Sequence, residues 1–113
     1  MHEMALAESV VQIVEAAAAR EGAGCVKRVR LEIGALSHAD ANALRFAFDA
    51  AAAGGVAKGA ELAISRAEGR AWCHDCAKDV AISGLGDPCP DCGGYDLKLT
   101  AGDALRVVDM EVT

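Results

Sequence analysis

The sequence predicts an α+β fold: a three-stranded sheet with two helices, interrupted by an inserted four-cysteine, zinc-ribbon-like domain. Three observations lead there. Two stretches carry apolar residues at helical spacing. Three stretches alternate apolar with charged residues, as half-buried strands do. Two Cys-x-x-Cys pairs lie between the second and third of these strands, so the cysteine segment interrupts the sheet domain rather than trailing it.

The first helix is expected over residues 3–20. Leu6, Val10, Ile13, Val14 and Ala17 fall on one face, with Glu8, Gln12 and Glu15 elsewhere on the wheel. Glu3 and Glu8 near its start and Arg20 near its end agree with the helix dipole. Gly22 and Gly24 stop it. A strand follows over 26–33, where Val29, Leu31 and Ile33 alternate with Arg28, Arg30 and Glu32. Cys25 stands at its entrance without a partner of ligand spacing and reads as a small buried hydrophobe. Ser37 then opens the second helix, with Asp40 three residues on in a variant of the capping box. Its inner face is expected to be Ala43, Leu44, Ala47, Phe48 and Ala51, and Gly54-Gly55 ends it. A second strand covers 61–67. A third covers 105–112, its alternation slipping between Val107 and Val108, as a bulge or a change of face would require. The resulting domains are 1–68 together with 99–113, and 69–98.

Five cysteines is an odd number, but four of them are paired in sequence: Cys73 with Cys76 and Cys89 with Cys92, twelve residues apart. Each pair makes a tight turn that aims two sulfurs at one point. Such spacing, without a secretion signal, reads as a tetrahedral four-thiolate zinc site and not as disulfides. Four protein ligands leave no open position for a catalytic water, which makes the zinc structural. Iron fits the same tetrathiolate shell, as in a rubredoxin-like electron carrier. Trp72 is expected to cover the cysteine knuckle or to pack it on the main domain, as a core residue and not a ligand. His74, inside the first pair, and His38 read as surface residues.

The N-terminal Met1-His2-Glu3 carries a second, different donor set. A free amine, an imidazole and the intervening amide nitrogens can lie in one plane, a geometry that suits Ni(II) or Cu(II) better than zinc. A polar residue on a frayed helix end, or a helix cap, is the plain alternative for His2.

The net charge of −6 excludes several classes. Zinc on four thiolates would add two further negative charges. An acidic chain with one Trp, one Tyr and two Phe is a poor nucleic-acid binder and suits a cation or a basic protein partner. No apolar run is long enough for a membrane span, and no basic region with an apolar core opens the chain; a cytoplasmic address is expected. No nucleophile–base pair of recognisable spacing and no phosphate-binding glycine loop is present, so an enzyme is not expected. A zinc-ribbon adaptor without transient metal is the alternative from a different class.

Taken together, Met1-His2-Glu3-Met4, Leu6-Ala7-Glu8-Ser9, Glu32-Ile33-Gly34-Ala35-Leu36-Ser37, Arg45-Phe46-Ala47-Phe48-Asp49, Trp72-Cys73, Pro88-Cys89-Pro90 and Gly102-Asp103 resemble the HypA/HybF family of hydrogenase maturation factors along essentially the whole chain. The resemblance implies a nickel metallochaperone. It places transient Ni(II) on His2, with Met1 and Glu3 beside it, and structural Zn(II) on Cys73, Cys76, Cys89 and Cys92. It implies a HypB-type GTPase as partner and the large subunit of NiFe hydrogenase as recipient; some members also support urease. A homodimer is left open. Nothing in the resemblance extends to Cys25 or His74.

Overall fold

The computed structural model describes residues 3–37 and 39–113. In chain order the elements are α1 (Glu3–Glu21), β1 (Val26–Gly34), α2 (Ala41–Ala52), β2 (Glu61–Ala67), β3 (Arg70–Cys73), β4 (Lys78–Ala81), β5 (Leu97–Ala101) and β6 (Leu105–Val112). They form two three-stranded sheets, ordered β2-β1-β6 and β4-β3-β5. The α+β class, the two helices and the three-stranded sheet are as expected. The second sheet, built from the cysteine segment and the residues just after it, is an addition. Among the described residues, no helix is long and apolar enough to cross a membrane. The chain divides into two compact units, Met1–Glu32 with Ala39–Ser65 and Arg106–Thr113, and Ile33–His38 with Arg66–Leu105.

In the first unit, α1 packs along α2. The buried residues of α1 are Ala7, Val10, Val11, Val14 and Ala18. The expected stripe shares only Val10 and Val14 with this set. Leu6 and Ala17 are half-buried, and Ile13 is 52% exposed. The face is rotated because two helices in contact run about 8–10 Å apart, and alanines admit that approach more readily than Leu6 or Ile13. On α2 the buried residues are Leu44, Ala47, Phe48 and Ala52; Ala43 is exposed and Ala51 half-buried.

The start of α2 also differs from expectation. Asp40, not Ser37, is the N-cap: its backbone is extended and its Oδ1 accepts from the amides of Asn42 at 2.8 Å and Ala43 at 3.3 Å. Such a cap contributes about 1 kcal/mol. Ser37 sits in the preceding turn, its amide donating to the Gly34 carbonyl at 2.9 Å. The Asp40 amide in turn donates to Glu3 Oε2 at 3.1 Å, tying the first turn of α1 to the cap of α2.

Strand β1 buries Val26, Val29 and Leu31 and exposes Arg28 and Arg30. The outward arginines meet acids from the flanking strands. Arg28 Nε lies 2.9 Å from Glu61, and Arg28 also reaches Glu111 at 3.5 Å. Arg30 forks onto Asp109, one arm at 2.6 Å. Each exposed pair adds little alone, but together they give this face of the sheet a charged surface. On β6 the half-buried positions are Leu105, Val107 and Met110, so the alternation slips by one residue after Val107, as expected.

The second unit is built on an antiparallel β3–β4 hairpin, with Cys73 opposite Lys78 and Ala71 opposite Val80. β5 adds to the other side, with a bulge at Arg70/Ala71. Its buried cluster is small: Cys73, Val80 and Cys89, with Cys76, Ile82 and Leu97 packed against it. Three glycines let backbone cross backbone at the base of this unit. The Ala35 amide donates to Ala67 O at 2.7 Å, Leu36 to Gly102 O at 2.8 Å and Gly34 to Ala104 O at 2.9 Å. A Cβ on Gly34 would collide with the Gly102 carbonyl; one on Gly69 would lie 2.6 Å from Ile82 O. Gly102 has φ +93, and a Cβ there would lie 2.5 Å from Gly69 Cα.

Candidate metal centre

The first cysteine pair straddles the β3–β4 turn. Cys73 ends β3, and the Cys76 amide donates back to Cys73 Sγ at 3.4 Å. Ala77 then takes φ +54, a left-handed conformation that turns the chain into β4. The second pair repeats the device without strands. Gly94 N donates to Cys92 Sγ at 3.4 Å, Cys89 N to Gly94 O at 2.7 Å, and Gly93 N to Cys89 O at 2.9 Å. Gly93, in the position that Ala77 holds in the first pair, has φ +74. Glycine adopts this conformation freely, whereas an L-residue does so at a cost of roughly 1–2 kcal/mol.

The two turns bring the four sulfurs together. Cys73 and Cys92 are 3.7 Å apart, Cys76 and Cys89 3.9 Å, and all four lie within 4.8 Å of one another. A tetrahedron with Zn–S bonds of about 2.3 Å has edges of about 3.8 Å. The donor set and its spacing therefore fit zinc. Bound there, the ion would cross-link the two turns and leave no open position for water. Cys73 and Cys89 are buried, Cys76 half-buried and Cys92 exposed, so each pair offers one inner and one outer sulfur. The thiols differ in acidity. Hydrogen bonds from the backbone, first that of Cys92, bring Cys89 down to about 7. Its hydrogen bond to Cys92, and then burial, push Cys76 up to about 12. Crowded thiols resist ionising together, and a cation resolves that conflict.

The remaining candidates lie elsewhere. His74 is exposed; its amide donates to Asp96 O at 3.0 Å and its Nδ1 is 3.0 Å from Asp96 Oδ1. It does not join the sulfur cluster. Trp72 is not core: on β3 it points opposite to Ala71 and Cys73 and is 39% exposed. Cys25 is exposed too, against the expectation of burial. Val26 takes the inward position beside it, and the Cys25 carbonyl accepts from the Thr113 amide at 3.0 Å. Glu3 opens α1, bonded to Asp40. Met1, His2 and His38 lie outside the described residues. One pair that the spacing rules did not single out is Lys78 with Asp91, which joins the two cysteine turns. The only hint in the sequence is that Lys78 stands just after the first cysteine pair and Asp91 inside the second.

Fold and thiolate cluster together define a small α+β metal-binding protein. A family model described as "Hydrogenase/urease nickel incorporation, metallochaperone, hypA" matches residues 1–112. Hydrogenase maturation factor HypA of Rhodopseudomonas palustris strain TIE-1 is 52% identical over 112 residues, 99% of each chain. Its namesake from Rhizobium leguminosarum bv. viciae is 49% identical over the same share. Among solved structures, the Ni metallochaperone HypA from Helicobacter pylori superposes with a TM-score of 0.76 at 26% identity, covering 99% of this chain and 97% of that one. The chain belongs to the HypA family of nickel metallochaperones.

Proposed function

We propose that the protein carries Ni(II) on Met1-His2-Glu3 and delivers it, with a HypB-type GTPase, to the large subunit of a NiFe hydrogenase in the cytoplasm. Cys73, Cys76, Cys89 and Cys92 hold a structural zinc. The match to the nickel-incorporation family over residues 1–112 carries this reading. Two local features support it. Amine, imidazole and amide nitrogens from consecutive residues favour the square-planar preference of nickel, while the four thiolates favour zinc, so one chain can sort two metals by donor type. The Glu3 carboxylate is also bonded to the Asp40 amide, which fixes the start of the helix that bears the terminus.

Titrating Ni(II) into zinc-loaded protein tests the proposal with three versions: an authentic Met1 terminus, one extra residue before Met1, and His2→Ala. One-to-one binding with a square-planar absorption band is expected only in the first. Unchanged binding in the extended protein would place the nickel elsewhere. No binding in any version would favour a zinc-ribbon adaptor.

A further inference from the structure

The four sulfurs are not equally supported. Cys73 and Cys92 each accept a backbone amide at 3.4 Å, and Cys89 accepts from the backbone of Cys92 and Asp91. The polar contacts of Cys76 are to the other sulfurs, Cys89 at 3.9 Å among them. The surroundings add negative charge rather than removing it: the Asp75 carboxylate lies against Gly94, next to Cys92. A zinc ion would still leave two net negative charges on the cluster.

One ion pair joins the two cysteine turns. Lys78 leaves the first turn just after Ala77, opposite Cys73 in the hairpin. Its ammonium is paired with Asp91, inside the second cysteine pair. We propose that Lys78 is a positioning residue of the four-thiolate centre. Its ammonium, held by Asp91, latches one cysteine turn to the other, and so governs how readily the metal is given up. Partners of this kind, outside the ligands themselves, change metal affinity by about 10–100-fold when removed. The inference rests on the four cysteines holding zinc.

The test uses full-length, zinc-loaded protein and an excess of a chromophoric chelator, following zinc release over time. Zinc content of the wild type is measured first; absence of one zinc per chain would overturn the zinc reading itself, and this inference with it. Lys78→Met and Lys78→Gln are expected to release zinc about tenfold faster. Lys78→Arg, which keeps the charge and can still pair with Asp91, should return near the wild-type rate. Lys98→Met, which removes a cation from β5 in the same unit, should leave the rate unchanged. Cobalt(II) substitution reports the tetrathiolate shell in each variant and separates a loosened site from an unfolded one. Wild-type release from both neutral variants would overturn the proposal. So would failure of Lys78→Arg to rescue, or equal acceleration by Lys98→Met.

Discussion

The two units solve the problem of stability differently. The first buries an apolar set in which Phe48, Leu44, Val10, Val14, Val26, Val29 and Leu31 are almost wholly shielded. The second has three strands of four or five residues, and two of the three members of its buried cluster, Cys73 and Cys89, are also candidate ligands. The unit also buries Ile33, Leu36 and Ala71, still a small core to set against the entropy of ordering its chain. What the first unit gains from hydrocarbon, the second must gain from coordination.

Metal removal is the largest test of that contrast. Zinc binding contributes on the order of 10 kcal/mol to small structural sites. Chelation should therefore abolish amide protection across 66–105 and change Trp72 fluorescence, while the helical circular dichroism of α1 and α2 persists. Simultaneous loss of the helices would break the contrast. A mutation in the first unit should show the opposite pattern. Phe48→Ala is expected to cost about 3–5 kcal/mol, read from the denaturant midpoint of the helical signal, with zinc release unchanged. The smallest effect sharpens the picture within the metal centre. Ala77→Gly removes a left-handed alanine from the first turn and should raise the melting temperature of the zinc-loaded second unit, a gain of roughly 1 kcal/mol. A lower melting temperature would mean that the position carries no strain.

Legibility in the sequence followed the same divide. Strands β1, β2 and β6 were readable because each runs for seven or more residues with apolar residues recurring among charged ones. The buried face of α1 was misplaced by one position. In an alanine-rich helix, hydrophobicity favours Leu6 and Ile13, while close packing on α2 favours Ala7 and Ala18. The cap was misassigned because Ser37 has the right chemistry, but its amide is engaged with Gly34 O in a turn. Strands β3, β4 and β5 were invisible: four or five residues, Lys78 and Asp79 among them, hold too little pattern to separate from loop. The sulfur cluster was fully legible, because a repeated Cys-x-x-Cys spacing encodes its geometry locally. Lys78–Asp91 was not, since an ion pair across two turns has no sequence signature.

The crossing at Gly34, Gly69 and Gly102 bears on the order of assembly. Its three contributors are spaced at roughly equal intervals along most of the chain, and contacts between segments so far apart form late because the loops between them must close first. The sulfur contacts close shorter loops, with separations of 13 residues for Cys76 and Cys89 and 19 for Cys73 and Cys92, so the thiolates can gather around an ion before the longer-range backbone crossing closes.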